Sequence, residues 1–416
     1  MGEKGAAETL DNVIMENWMI GVLVMAVALV TSMMVFPWAL KYAKDHGIVD
    51  NPNARKLQRV PVPVFGGVVV YSGILAGGLV LSAFMWNCVM VNGLIGMAIL
   101  LLLGLWDDQK DISALLRFLI EIVLVSAFIA LTGVYIDDFH GLWGIDELND
   151  WIAIPFSVFV GVSIINGVNL IDGVDGYSSG YGMMACIFFG LCYWTVWSPT
   201  MTCLTMIVIG ALLPFFMHNV FGQKSRMFIG DGGTLMLGMF LTVCTFYALS
   251  STQPCDKLDE KGLSLIAYAL AVLSIPLFDT LRVFTMRILR GKSPFKPDKT
   301  HLHHLFIDMG FSHLGAALSI LIVNMTVVLV WFASWKLGAS VDVQTYVVVV
   351  LGFIVTFGFY KFMKVQQNGG SVDEEGYPQG TWLWHRMCEL GHFTHKENKR
   401  AWRVLRVIMD GPLLGK

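Results

Sequence analysis

Four short stretches of this chain concentrate the residues able to do chemistry: WDDQKD (106–111), NGVNLIDGVDG (166–176), HNVFGQKSRMFIGDGG (218–233) and KPDKTHLHH (296–304). Asp107 and Asp108 are adjacent acids that repel one another and are better tolerated beside a cation. In the second stretch Asn166, Asn169, Asp172 and Asp175 recur every three residues. On an α-helix that spacing would spread them over half the circumference, so Gly173 and Gly176 are read as a chain that has left the helix and turns tightly. Hard oxygen ligands of this kind suit Mg²⁺ or Mn²⁺, and Mg²⁺ takes only one or two protein carboxylates together with substrate phosphates. GDGG (230–233) leads into an apolar run, which places its amides at a helix N-terminus, a favourable site for an anion. A metal beside an anion site points to a phosphate or pyrophosphate substrate. Each motif alone also has a plainer reading: a solvated helix end for DD, a simple turn for GDGG, and a polar loop or soft-metal site for HLHH, although zinc would want tetrahedral N/S ligands at clearer spacing.

What must position these residues is a membrane bundle. Of 416 residues, 56% are hydrophobic and only 14% charged, with a mean hydropathy of +0.65; a soluble domain carries about 25% charged residues. The fold class expected is an all-α integral membrane protein, a polytopic bundle. A spanning helix needs about 20 apolar residues, and about eleven candidates follow one another at 18–40, 64–84, 90–106, 114–131, 151–165, 178–197, 201–217, 234–249, 263–284, 314–335 and 346–362. The expected organisation is an extracytoplasmic segment 1–17, a transmembrane catalytic domain 18–363 and a cytoplasmic tail 364–416. The acidic leading segment, Glu3, Glu8, Asp11 and Glu16 against Lys4, argues against a cleaved signal. The seven cysteines show neither CxxC nor a metal-ligand spacing, and no disulfide is expected.

On this segmentation all but four of the 28 Lys and Arg residues, the exceptions being Lys4, Lys257, Lys261 and Lys336, fall on one side, with Arg117, Arg282 and Lys361, near span ends, counted with the side they adjoin. The positive-inside rule then puts the N-terminus outside and the C-terminus in the cytoplasm. WDDQKD follows the third span, NGVNLIDGVDG the fifth, HNVFGQKSRMFIGDGG the seventh and KPDKTHLHH the ninth, so all four land on the cytoplasmic side. Four independent surface turns have no reason to share one face; one composite site does. Beyond the last span, the linker QQNGGSVDEEGYPQG (366–380) precedes an aromatic and basic stretch, 382–409, read either as an interfacial helix on the cytoplasmic leaflet or as a small solvated tail.

In that order, WDDQKD, NGVNLIDGVDG, FIGDGG and HLHH resemble the polyprenyl-phosphate N-acetylaminosugar-1-phosphate transferases (glycosyltransferase family 4), and within them most closely the bacterial UDP-GlcNAc:undecaprenyl-phosphate GlcNAc-1-phosphate transferases. The resemblance starts near DNPNARKLQRVPVPVFGG (50–67) and runs to about His313. It implies transfer of a sugar-1-phosphate from a UDP-N-acetylaminosugar to a polyprenyl phosphate lipid in a bacterial inner membrane, with Mg²⁺ or Mn²⁺ as cofactor and no nucleic acid; a homodimer is compatible with it. By resemblance, Asn169 and Asp231 hold the metal on the pyrophosphate, with Asn166 a substrate-binding residue beside them. Asp107 and Asp108 match the acidic pair at the reaction centre, and Asp172 a further essential acid of the bacterial members. The eukaryotic relatives lack an acid at the place of Asp172, which argues against a strict base role for it. Phe228 matches an aromatic that stacks on uracil, while Gly173, Asp175 and Asn219 fall where the uridine is held. His301, His303 and His304, with Arg287, Arg290 and Lys292 upstream, form the loop expected near the sugar and phosphates, and Arg55 and Lys56 are candidates for the same pocket.

The chemistry itself needs little acid–base help. A phosphate monoester has a second pKa of about 6, so the lipid phosphate is already mostly a dianion at neutral pH and can attack the β-phosphorus of the UDP-sugar in line, with UMP leaving. Charge builds on the leaving phosphate, where a metal and basic residues offset it. Asp107 or Asp108 is then expected to position the lipid phosphate or the metal and to abstract no proton. An ion-coupled transporter would instead carry acids near the bilayer midplane and an inverted repeat, and neither is visible. A non-catalytic scaffold would be free to lose the acids and histidines. Within the enzyme class, a phospho-MurNAc-pentapeptide transferase resembles three contiguous histidines rather than HLHH, and another UDP-N-acetylaminosugar stays open.

Overall fold

The computed structural model describes residues 3–51, 60–110, 112–293, 300–369, 380–394 and 399–411. The chain opens with α1 (Glu3–Asp45), followed by a two-stranded antiparallel ribbon of β1 (Val49–Asp50) and β2 (Val62–Pro63), the sole sheet among the described residues. Then come α2 (Gly66–Phe84), α3 (Cys88–Lys110), α4 (Ala114–Thr132), α5 (Asp150–Leu170), α6 (Tyr177–Thr195), α7 (Pro199–Phe221) and α8 (Gly230–Leu249). The second part holds α9 (Leu265–Val272), α10 (Ser274–Leu289), the short α11 (Leu302–Asp308), α12 (His313–Lys336), α13 (Val341–Phe353) and α14 (Phe359–Asn368). The tail forms α15 (Trp382–Phe393) and α16 (Lys399–Met409).

All eleven segments read as spans are helical, so the all-α membrane architecture stands. Nine described helices are long and apolar enough to cross a membrane, or ten if the bent pair α9–α10 counts as one span, beside the eleven or so read from the sequence. The remaining segment, α6, is a helix of 19 residues, but Tyr177, Ser178, Ser179 and Tyr181 at its start and Tyr193 and Thr195 at its end make it too polar for that class.

The most central helix is α8, whose span is wholly buried inside the protein. It packs on α3 and α5, and α3 approaches its first turn so closely that a Cβ at Gly104 would lie 2.2 Å from the Gly232 amide nitrogen. A residue with a side chain cannot occupy Gly104 without moving α8. Small residues that let backbones touch are the usual currency of helix association in lipid, and here they set the height of the GDGG turn against the end of α3.

The break between α9 and α10 bends the chain by 73°. Pro276, in the first turn of α10, has no N–H to carry a continuous helix across that point. The freed polar groups are not left bare. Asn324 of α12 accepts from the Ile275 amide and the Ser274 hydroxyl, both at 3.2 Å, and donates to the carbonyl oxygens of Ala271 and Val272 at 3.3 and 3.1 Å. Satisfying the backbone internally is what allows a broken helix at membrane depth. The bend aims α10, with Asp279 and Arg282, at the histidine segment.

Candidate active site

The first polar cluster joins four helix ends. The GDGG turn begins at Gly230, whose φ of +75° is a conformation that side chains rarely adopt; a Cβ there would also lie 2.6 Å from Asp108 Oδ2. From that turn the Asp231 amide donates to Asp108 Oδ1 at 3.3 Å. Asn169 donates from Nδ2 to Asp231 Oδ1 at 3.1 Å and to Thr234 Oγ1 at 2.8 Å. Both bonds use the amide nitrogen, so neither consumes the amide's oxygen. Asp107 closes its own helix end by accepting from the Ile112 amide at 2.9 Å.

Arg117, one turn into α4, is the cation that three carboxylates share: it lies 3.1 Å from Asp107 Oδ2, 3.7 Å from Asp231 Oδ2 and 3.7 Å from Glu121 Oε1. Asn166 donates to the other oxygen of Glu121. Four acids, Asp107, Asp108, Glu121 and Asp231, thus gather around one guanidinium, an excess of negative oxygen. That donor set fits a hard divalent cation bound through a few carboxylate oxygens and an amide oxygen, with substrate phosphates and waters completing the shell.

The second cluster lies along the turn after α5. The helix continues through Leu170, so Asn166 and Asn169 sit on its last turns. The turn read at Gly173 and Gly176 is present, while the fifth span ends later than expected, at Leu170 rather than 165, so that a helix end carries both asparagines toward neighbouring helices. Asp172 accepts from the Ser178 hydroxyl at 2.8 Å. Asp172 is exposed at the turn, and the protein packed around it, with the charges of Asp231 and Asp175, pushes its pKa up to about 7. Near neutrality Asp172 therefore exists in both protonation states.

Asp175 has the opposite character. Burial alone would raise its pKa, but His313, with Nδ1 3.0 Å from Oδ2, and the paired Arg226 hold it below the usual carboxylate range. Asn219 fastens the same turn: its Oδ1 accepts from the Gly176 amide at 2.7 Å, while its Nδ2 donates to Asp175 Oδ1 at 3.4 Å and to the Met227 carbonyl at 3.0 Å. Arg226 also lies over the ring of Phe228, 5.4 Å from its centroid. Phe228 is held by the β2 end, its amide donating to the Pro63 carbonyl at 2.8 Å and its carbonyl accepting from the Gly66 amide at 2.9 Å.

The third cluster is built on α10. Asp279 is buried, accepts from Arg282 at 2.7 Å, from His301 Nδ1 at 3.0 Å and from the Leu302 amide at 3.2 Å. The HLHH segment, expected as a loop, is corrected to a helix start: His301 precedes the first turn of α11 and His303 and His304 lie on it, because Asp279 and Arg282 anchor that turn. His303 packs against Gly173 so tightly that a Cβ at Gly173 would lie 2.1 Å from His303 Nε2. Burial and the neighbouring histidines keep the His303 pKa well below its ordinary value, so the ring is neutral at physiological pH.

All four motifs therefore meet. Asp107 and Asp108 reach Asp231, Asn169 reaches Asp231, Gly173 meets His303, and Asp175 binds Asn219 and Arg226. Arg287 is buried near the end of α10, whereas Arg290 and Lys292 stand exposed just beyond it. Arg55 and Lys56 lie outside the described residues. A separate group able to hold an ion, Asp138, His140 and Asp256, has its ligand atoms within 4.8 Å of one another. None of the predicted metal ligands belongs to it, and it lies at the opposite ends of α4, α5 and α8 from Arg117, Asn169 and Asp231.

Arg117, Glu121, Asp279 and Arg282 were not singled out from the sequence. The available signal was their position inside predicted spans 114–131 and 263–284, since ionisable residues in an apolar segment ordinarily have a partner and a purpose. Arg226 lay within the 218–233 stretch without being singled out, and Ser178 and His313 carried no signal of their own.

Residues 90–249 match the model of the family Glycosyl transferase family 4, a segment from α3 to α8 that includes Asp107, Asp108, Asn169, Asp175, Phe228 and Asp231. The chain is 27% identical over 354 residues, covering 85% of its length and 93% of the relative's, to a probable undecaprenyl-phosphate N-acetylglucosaminyl 1-phosphate transferase of Bacillus subtilis. It is 27% identical over 294 residues, 69% of the chain and 76% of the relative, to the undecaprenyl-phosphate alpha-N-acetylglucosaminyl 1-phosphate transferase of Escherichia coli K12. It is 28% identical over 315 residues, 68% of the chain and 74% of the relative, to a decaprenyl-phosphate N-acetylglucosaminephosphotransferase of Mycolicibacterium smegmatis. Similarity to these transferases thus extends along most of the chain, and its central segment, 90–249, is the part that matches Glycosyl transferase family 4.

Proposed function

We propose that this protein transfers GlcNAc-1-phosphate from UDP-GlcNAc to undecaprenyl phosphate, giving undecaprenyl-diphospho-GlcNAc and UMP, on the cytoplasmic face of a bacterial inner membrane. The observation that carries the reading is the convergence of an acid-rich centre, a turn with its two basic partners, and a neutral histidine at one end of a membrane bundle. The relatives' names support the reaction class, and the skew of Lys and Arg toward the motif side supports the orientation.

A bound Mg²⁺ would supply charge neutralisation on the pyrophosphate and the leaving group; Asp231, the Asn169 amide oxygen and one of Asp107 or Asp108 would hold it. Arg117 keeps Asp107 and Asp231 from repelling each other before the substrates arrive. Phe228 offers a ring face for the uracil, and the Asp175–Asn219–Arg226 group shapes the turn on which the ribose side would rest. The lipid phosphate oxygen forms a new bond to the β-phosphorus while the bond from that phosphorus to the bridging oxygen breaks, and UMP leaves with the electron pair. No proton need be abstracted from a phosphate dianion, so Asp172, poised near neutrality, serves to hydrogen-bond rather than to generate the nucleophile. A membrane fold is required because the acceptor is too apolar to leave the bilayer while the donor is soluble in water.

UMP release by the purified protein, given UDP-GlcNAc, undecaprenyl phosphate and Mg²⁺, tests the reading. Release should depend on all three, and UDP-GalNAc and UDP-MurNAc-pentapeptide should be poorer donors. Release that persists without the lipid phosphate would overturn it.

A further inference from the structure

The function proposed above leaves the C-terminal tail without a role, yet the tail touches the site at two points. Asp410, just past α16, accepts from three consecutive backbone amides of the α7–α8 loop: Gln223 at 3.1 Å to both carboxylate oxygens, Lys224 at 3.1 Å and Ser225 at 3.0 Å. The Ser225 hydroxyl adds a fourth donor at 2.8 Å. Successive amides converging on one anion form a nest, and charge-assisted bonds of this type are about twice as strong as neutral ones. The next residue in that loop is Arg226. At the other end of the tail, Thr394 closes α15 and its Oγ1 accepts from the Ser312 amide at 2.9 Å. A Cβ on Gly391 would lie 2.3 Å from the Met309 carbonyl oxygen, so α15 is seated directly on this segment. The residue after Ser312 is His313. Arg226 and His313 are the two basic partners of Asp175.

We infer that the tail is a clamp that positions the nucleotide side of the site, with Asp410 and Thr394 as positioning residues that hold Arg226 and His313 in place around Asp175. This rests on the reading of that turn as the uridine side. It requires no contact between the tail and any substrate: each anchor grips the backbone one residue before a basic group, so a loose anchor shifts that group relative to Phe228 and Asp175. The acid-rich centre around Asp231 is untouched by it. A selective effect on the donor therefore follows, with the lipid acceptor and the chemical step spared.

The experiment uses the full-length protein in detergent or liposomes. Asp410→Ala should raise the KM for UDP-GlcNAc and weaken UMP binding by a factor of about ten, with kcat and the KM for undecaprenyl phosphate within about twofold of wild type. Asp410→Asn keeps one acceptor oxygen and should fall between the two. Ser225→Ala, a milder probe should Asp410→Ala fold poorly, should raise the same KM about threefold and add little when combined with Asp410→Ala, because both remove one interaction. Amide exchange at 223–225 should quicken in both. Faster exchange with unchanged donor KM and UMP affinity would overturn the inference alone, as would equal losses toward donor and acceptor. A wild type that binds no UMP would overturn the functional reading, and the inference with it.

Discussion

The two ends of α4, α5 and α8 arrange their charges differently. At the motif end, three carboxylates share Arg117, and Asp108 stands beside them on the Asp231 amide. At the far end, the α4–α5 loop carries Asp137, Asp138 and His140, and each is matched inside the protein. Asp137 accepts from the Ser251 amide and hydroxyl at 2.8 and 2.9 Å, and Asp138 accepts from the His140 amide. His140, fully buried, has Nδ1 2.5 Å from Asp259 Oδ2 and Nε2 3.2 Å from the Leu249 carbonyl. Both ring nitrogens face acceptors, an arrangement that favours the imidazolium. Burial opposes that charge, but the Asp259 bond and charge outweigh it and raise the pKa. The His140–Asp259 pair ties the α4–α5 loop to the loop after α8. Each end gathers several acids around one cation; at the far end His140 joins two loops, whereas at the motif end Arg117 bridges carboxylates from three helices.

The largest test of that contrast is Asp231→Asn. Removing an electrostatic group from the acid-rich centre should cut UMP release by about 10²–10³-fold, while thermal stability in detergent holds or rises because repulsion is relieved. A comparable collapse of stability would place the two ends in the same class. Gly173→Ala comes next. The added methyl collides with His303, and a displacement on the ångström scale should lower turnover about 10²-fold with the bundle intact; normal turnover would show that the Gly173–His303 contact does not set the site. Arg117→Lys keeps the charge but not a fork that reaches three carboxylates, and should lower turnover about tenfold and weaken the dependence on divalent cation concentration.

The smallest effect on activity belongs to the far end. His140→Gln should leave UMP release within about twofold of wild type and cost about 2 kcal/mol of stability, the scale of a charged hydrogen bond. The sign with pH follows from the raised pKa. The stabilisation is fully present below the ordinary imidazole value of about 6.5 and is lost as pH rises through the folded-state value. The melting-temperature gap between wild type and His140→Gln should thus be widest near pH 6, by the same reference value, and close toward alkaline pH. A gap that widens with pH would show that His140 is neutral, and would reopen the cluster as an ion site.

Much of the motif end was legible beforehand. Asp107, Asp108, Asn169, Asp231 and the histidines announce themselves as polar residues between apolar runs, and counting spans puts them on one side. The local form of the motifs was not legible. Asn166 and Asn169 looked like loop residues because their three-residue spacing fits neither face of an isolated helix; they are helical because α4 and α8 each offer them a polar partner. HLHH looked like a loop because nothing nearby in sequence caps it; Asp279, more than twenty residues earlier, does. The far end left no trace, since its aspartates and His140 follow no motif and acquire a role only through Asp259 and Ser251.

The sequence by itself determined the class of molecule, an apolar helical bundle, and the chemistry concentrated at one end of it, because hydropathy and residue type are properties of short stretches. Only the tertiary structure decided which carboxylates share Arg117, which histidine rests on Gly173, and that the tail grips the residues beside Arg226 and His313. Those pairings join residues tens to hundreds of positions apart. They depend on helix rotation and on backbone contacts as close as Gly104 on Gly232, and a contact between distant segments has no signature in either segment alone.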